Sequence, residues 1–153
     1  MIAFRLSKAK YSSDLSGKGA EKSGGRWNSK GVPMLYTSQS RALCMAEVAV
    51  HIPFGIVPSD YQVVTIEIPD HLKIEEQDIS KMPSDWKSLP PSGSTQRIGD
   101  LFILENKFIA LKVPSVIVQG DFNFLINPLH KDISLIKIVS TEPFEFDKRM
   151  FLK

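Results

Sequence analysis

The block "GGRWNSKGVPMLYTSQSRALCMAEVAVH", residues 24–51, joins three kinds of local sequence without a break. Its doubled glycine allows a sharp turn or a close approach of the backbone to a ligand. The apolar run 33–38 is typical of a strand. The stretch 38–52 contains strong helix formers, and Ser38 or Ser40 can serve as their N-cap. We therefore predict a loop, a strand and a helix in succession.

Short apolar segments typical of strands lie on both sides of this block. The predicted strands cover 2–7, 33–38, 61–68, 115–119, 123–127 and 135–140, with the tail 144–152 as a last strand or an edge. A second helix is predicted over 95–108, and the Pro- and Ser-rich stretch 82–95 is expected to be an irregular connection. Strands and helices do not alternate, which favours one α+β domain over 1–153 rather than a doubly wound sheet.

Composition excludes several classes of protein. The net charge is +2 over 153 residues, too little for a nucleic-acid binder on charge alone. A single cysteine, Cys44, excludes an internal disulfide and a cysteine-rich zinc site. There is no Rossmann fingerprint, P-loop or H-E-x-x-H motif, so neither a resident cofactor nor a metal is expected. No run approaches the roughly 20 apolar residues of a membrane span, and we expect a soluble cytoplasmic protein.

Glu47 breaks the apolar pattern of the first long helix. Leu43, Ala46, Glu47 and Val50 follow the i, i+3, i+4, i+7 spacing and share one face. A carboxylate on such a face points into the protein or into a cleft, and its burial is costly without a partner. Either Glu47 reaches solvent or a buried cation at the boundary of the core, or it serves a functional site.

Other polar and aromatic residues have two interpretations each. Arg5 alternates with apolar residues in the first strand and lies either on a solvated face or at the floor of a cleft. Ser115 is a hydrogen-bonded strand serine or a functional hydroxyl. Tyr36 and Trp27 are core aromatics or stacking platforms. Arg26, beside the doubled glycine, belongs to a surface turn or to a clamp for an anion.

Taken together, these segments resemble the RES-domain family, named for its arginine, glutamate and serine. The resemblance includes "FRLS" (4–7), the block 24–51 and "VPSVIVQGDFNFLINPLHKD" (113–132). The family arginine falls on Arg5, the glutamate on Glu47 and the serine on Ser115. Arg26 matches the second arginine of the glycine-rich block, and Tyr36 matches the aromatic residue after it.

The resemblance implies a fold similar to that of the ADP-ribosyltransferases, with small sheets forming a cleft. It also implies a bacterial toxin that degrades NAD+ at the nicotinamide–ribose bond, with an Xre-type antitoxin as the partner that covers the site. Arg5, Glu47 and Ser115 would then be catalytic. The NAD+-binding residues would be Arg5, Arg26, Trp27, Tyr36 and Ser115.

The sequence leaves the acceptor of the reaction open. NAD+ is expected as substrate rather than cofactor, and phosphate and water are both candidate acceptors. An ADP-ribosyltransferase acting on a protein is a second interpretation, and a module that binds a nucleotide without turnover is a third.

Overall fold

The computed structural model describes residues 1–152, which form seven strands and three α-helices. The strands are β1 (Ile2–Lys8), β2 (Leu35–Ser38), β3 (Tyr61–Glu67), β4 (Ile74–Glu76), β5 (Ala110–Pro114), β6 (Phe122–Ile126) and β7 (Lys137–Phe144). The helices are α1 (Lys18–Ser23), α2 (Arg41–Ala49) and α3 (Gly93–Glu105). The α+β class is therefore confirmed.

The strands follow the order β4-β5-β6-β2-β1-β3-β7, and only β4 and β5 pair in parallel. The pairing of β1 with β3 runs from Ile2 to Lys8, whereas β1 meets β2 at a single position, Phe4 opposite Ser38. The sheet thus consists of two halves, β4-β5-β6-β2 and β1-β3-β7, which part between β1 and β2. This weak junction matches the expected arrangement of small sheets around a cleft.

Apolar side chains are buried on both faces of the β1-β3-β7 half. Ala3 is fully buried in one cluster with Val64. Leu6 belongs to another cluster, with Cys44 of α2 and Val63. Because successive strand residues point to opposite faces, both faces of β1 face protein. Cys44 is a small core residue, as its neighbours in the sequence indicate.

Several elements differ from the sequence-based expectation. The strand predicted at 115–119 is wrong: the strand is β5, and the chain turns back after Pro114, where the Ser115 N–H donates to the Asp121 carbonyl at 2.8 Å. The short elements β4 and α1 were not predicted. In the tail only Phe144 is in a strand, and Phe146 and Phe151 pack edge to face instead.

Both predicted helices are present, with shorter or shifted ends. Helix α2 begins after Ser40, whose hydroxyl accepts from the Leu43 N–H at 3.1 Å, so Ser40 is the N-cap. Helix α3 ends at Glu105, and its C-cap Asn106 adopts the left-handed conformation with φ of 51°. In the part of the chain described, no helix is long and apolar enough to cross a membrane; α3, the longest, has 13 residues.

Candidate active site

A cavity of about 850 Å³ lies where the two half-sheets part. Its volume falls in the range of small-molecule and cofactor sites. Its wall brings together residues from distant parts of the sequence: Arg5 of β1, Arg26 of the glycine-rich loop, Tyr36 of β2, Glu47 of α2 and Asn123 of β6.

Glu47 is held at one carboxylate oxygen and free at the other. Its Oε1 accepts hydrogen bonds from the Ser115 hydroxyl at 3.0 Å and from the Asn123 amide at 2.6 Å. Its Oε2 has no hydrogen-bond partner among residues 1–152. The half-buried carboxylate therefore has two neutral donors and one unused oxygen on the wall of the cavity.

Ser115 lies behind Glu47 rather than on the cavity wall. Its side chain is buried, and its oxygen accepts from the backbone N–H groups of Ile117 and Val118, both at 3.1 Å. With these acceptor positions used, its hydroxyl hydrogen is directed to Glu47. This geometry makes Ser115 a residue that positions the carboxylate, and direct contact of Ser115 with a substrate stays a prediction.

Asn123 was missed by the sequence analysis. Its Oδ1 accepts from the Ser38 hydroxyl at 2.6 Å while its amide donates to Glu47. The available signal was a polar residue that interrupts the apolar strand of β6. A polar residue at a strand end is common, however, and its distance of 76 residues from Glu47 hides the contact.

Arg5 reaches into the cavity from β1 and is tethered by the following turn. Its Nη1 donates to the backbone carbonyls of Tyr11 at 3.1 Å and Asp14 at 3.0 Å. Burial lowers the pKa of the Arg5 guanidinium, while the Asp14 carboxylate raises it. A guanidinium keeps its charge through such shifts, so Arg5 is a partly desolvated cation.

Arg26 is tethered in a similar way to the connection between the single helical turn Ile79–Lys81 and α3. Its Nη1 donates to the carbonyls of Trp86 at 2.7 Å and Ser88 at 3.1 Å. Burial lowers the pKa of Arg26, and the negative charge of Glu47 raises it. In the described residues, Nε and Nη2 of Arg26 have no partner and can bind an anion.

The glycine-rich loop is built around the Tyr36 hydroxyl. That hydroxyl accepts from the Trp27 N–H at 3.0 Å and donates to Asn28 Oδ1 at 2.7 Å. A Cβ on Gly25 would lie 2.7 Å from the same oxygen, so only glycine fits there. Burial raises the pKa of Tyr36, which keeps the hydroxyl neutral.

Trp27 packs into the core, which is one of the two interpretations that the sequence leaves open. Its side chain is only 3% exposed and packs against Met34, Phe102 and Leu125. Trp27 is also among the residues that line the cavity, but so little of its side chain is exposed that stacking of the indole on a substrate ring stays a prediction. Trp27 anchors the loop to the core, and Tyr36 and Tyr61 are the other aromatic residues that line the cavity.

A family model supplies the decisive comparison with known proteins. The model described as RES domain matches residues 2–147, nearly the whole chain. The chain belongs to the RES domain family. Arg5, Glu47 and Ser115, which the sequence resemblance selected, thus lie in a RES domain in which Glu47 and Ser115 are in contact.

Named relatives of this RES domain are toxins. It is 38% identical to "Toxin Res" of Photorhabdus laumondii, over 98% of this chain and 97% of that protein. It is 37% identical to the "Prs ADP-ribosylating toxin" of a Sphingobium species, over 92% of this chain and 88% of that protein. The chain is therefore a RES-domain toxin by family.

The fold of this RES domain also occurs in a solved structure. The crystal structure of the M. tuberculosis MbcT-MbcA toxin-antitoxin complex matches with a TM-score of 0.75. The match covers 94% of this chain and 84% of that chain at 18% identity. At this identity the likeness concerns the fold, which is the ADP-ribosyltransferase-like fold expected from the sequence.

Helix α3 holds the glycine-rich loop of this RES domain against the sheet. Gln96 Nε2 donates to the Gly25 carbonyl at 3.0 Å, and Asp100 accepts from the N–H and hydroxyl of Ser29 at 2.9 and 2.6 Å. A Cβ on Gly99 would lie 1.7 Å from the Trp27 carbonyl oxygen. Gly99, which weakens the helix pattern, is therefore where α3 touches the loop.

Proposed function

We propose that this RES-domain toxin cleaves NAD+ at the bond between nicotinamide and ribose. The observation that carries the proposal is the carboxylate of Glu47, which has its Oε1 held by two donors and its Oε2 unused on a cavity bordered by two arginines. A substrate that is anionic in one part and develops positive charge in another suits this arrangement.

Cleavage of the N-glycosidic bond develops positive charge on the ribose, as in glycoside hydrolysis. The bonding electron pair leaves with the nicotinamide nitrogen, which becomes neutral. The ribosyl cation then forms a bond to an oxygen of water or of phosphate. When water is the nucleophile, it loses a proton in this step. Glu47 stabilises the cation electrostatically and can orient a ribose hydroxyl or the nucleophile through Oε2.

The two arginines supply the anion-binding part of the proposed site. The pyrophosphate of NAD+ carries two negative charges, and Arg5 and Arg26 are partly desolvated cations whose Nη1 atoms are tethered to the backbone. Tethering reduces the entropy lost when an arginine binds an anion. The Tyr36 ring, which lines the cavity, is a candidate for contact with the flat nicotinamide.

Incubation of the pure protein with NAD+, with and without inorganic phosphate, tests the proposal. Release of nicotinamide with ADP-ribose indicates water as acceptor, and ADP-ribose-1″-phosphate indicates phosphate. Binding of NAD+ without turnover would contradict the proposal and favour a binding module.

Transfer of ADP-ribose to a protein is the second candidate function. A relative of 37% identity bears the name "Prs ADP-ribosylating toxin". Both functions share the cleavage step and differ in the acceptor. Labelled NAD+ added to a cell extract separates them, because only transfer leaves the label on a protein.

An antitoxin partner, which we expect to be of the Xre type, is part of the proposal. The fold neighbour was crystallised as a toxin-antitoxin complex. Apolar side chains are exposed at the rim of the cavity, with Leu89 83% and Val50 57% exposed. Exposed apolar surface beside a charged cavity favours a protein partner that covers the site.

A further inference from the structure

The hydrogen bonds around Glu47 run in one direction, from Ser38 through Asn123 to the carboxylate. Ser38 is buried, and its hydroxyl hydrogen goes to Asn123 Oδ1 at 2.6 Å. Since Oδ1 only accepts, the amide nitrogen of Asn123 must face Glu47, where it donates at 2.6 Å. Glu47 Oε1 thus accepts from two donors, the Asn123 amide and the Ser115 hydroxyl.

This chain of hydrogen bonds ends at the junction of the half-sheets. Ser38 is the residue of β2 that pairs with Phe4 of β1. The Cys44 thiol of α2 lies 2.9 Å from the carbonyl of the same Phe4. The neighbour of Phe4 is Arg5, so the chain of contacts connects the carboxylate with the strand that carries the anion-binding arginine.

We propose that Asn123, oriented by Ser38, is a positioning residue that holds Glu47 Oε1 and thereby turns Oε2 toward the cavity. The inference rests on the proposed function, because it assigns Glu47 the role of the charged group in NAD+ cleavage. Asn123 acts through Glu47, and its loss is expected to lower kcat rather than to raise KM.

Asn123→Asp tests whether the Asn123 amide donates to Glu47, because it removes the donor with almost no change in side-chain shape. The new carboxylate lies beside Glu47 Oε1, and two carboxylates that share a site retain a proton between them. We expect kcat for nicotinamide release to fall about 100-fold at neutral pH, with the acid limb of its pH profile moved to higher pH. Asn106→Asp, an exposed isosteric change at the end of α3, should leave both unchanged.

Stability measured against pH gives a readout that needs no NAD+. The folded Asn123→Asp variant holds a proton that the unfolded chain releases, so its stability relative to wild type falls as pH rises from 5 to 8. A pH-independent difference in Tm overturns the inference. If the wild-type protein releases no nicotinamide, the proposed function fails. The dependence of stability on pH still tests the hydrogen bonds between Ser38, Asn123 and Glu47.

A double-mutant cycle separates positioning from general loss of structure. Ser38→Ala should lower kcat about tenfold and Asn123→Ala between about 10- and 100-fold, each with a KM for NAD+ close to wild type. The double variant should be no slower than Asn123→Ala, because Ser38 acts only through Asn123. Additive losses, or losses confined to KM, would overturn the proposal.

Discussion

At the residue scale, the position of Glu47 on the apolar face of α2 has a physical explanation. A carboxylate on an apolar helix face is costly unless donors replace the lost water. Glu47 receives such donors from Ser115 and Asn123 but no cation in direct contact. Two neutral donors satisfy the carboxylate without a direct ion pair, so more of its charge stays available to a positive reacting centre.

Glu47→Gln keeps the shape of the side chain and removes its charge. We expect kcat for nicotinamide release to fall about 100-fold or more, which is the usual scale for the loss of one electrostatic stabiliser. Affinity for NAD+, measured by calorimetry, should change much less. Glu105→Gln on the exposed end of α3 is the matched control and should behave as wild type. Near-normal turnover of Glu47→Gln contradicts the role of the carboxylate.

Arg26→Lys retains a positive charge but loses the planar group. Lysine cannot bind the carbonyls of Trp86 and Ser88 and present a second edge to a phosphate at the same time. We expect KM for NAD+ to rise about tenfold, measured from the initial rate of nicotinamide release. Arg149→Lys, on the exposed C-terminal turn, should have no effect. Full activity of Arg26→Lys would remove Arg26 from the site.

At the element scale, α3 stabilises the loop that carries Arg26. The loop has little regular structure of its own, and its backbone groups are satisfied by side chains of α3 and by Asn28, whose Nδ2 donates to the carbonyls of Ala20 and Val32, both at 2.9 Å. Buried polar groups satisfied in this way make a loop rigid. The arginine is therefore preorganised before a substrate binds.

Gly99→Ala tests the contact between α3 and the loop. The added methyl group meets the Trp27 carbonyl oxygen, so helix and loop must separate. We expect the free energy of unfolding to fall by about 3 kcal/mol and Tm by roughly 6 to 12 °C. Gly19→Ala in α1 is the matched control, since a Cβ there meets nothing within 4 Å and should raise stability slightly. An unchanged Tm in Gly99→Ala would contradict the close packing.

At the scale of the whole molecule, the division of the sheet creates the cavity. The half-sheets share one paired position, Phe4 with Ser38, so the strands diverge and leave room between them. Residues of both halves then border the same space. The wide mouth and its exposed apolar rim give a partner protein direct access to the charged interior.

Expression of the chain in a bacterial host tests the proposed activity and its control together. The wild type alone should lower cellular NAD+ and stop growth, and co-expression of its antitoxin should restore both. Glu47→Gln should be harmless alone yet still bind the antitoxin, because covering the cavity requires its shape and not its chemistry. Unchanged NAD+ and growth at good expression of wild type would contradict the toxin activity.

The sequence alone determined the class of fold and most of the candidate residues. Helix α2 and its N-cap Ser40 follow from local preferences, and the inward carboxylate of Glu47 follows from helical periodicity. These features depend on residues a few positions apart. The turn after Pro114 was predicted as a strand because "SVIVQ" has strand composition, although the strand pairing ends before it.

Only the tertiary structure decided what each candidate residue touches. Glu47 lies 68 residues from Ser115 and 76 from Asn123, and no periodic pattern connects positions so far apart. The same holds for Trp27, whose ring is buried because α3 and the sheet enclose it. Local sequence sets the direction in which a side chain points, whereas its partners are set by strand order, and here strand order brings β6 beside β2 and β2 to the single junction with β1.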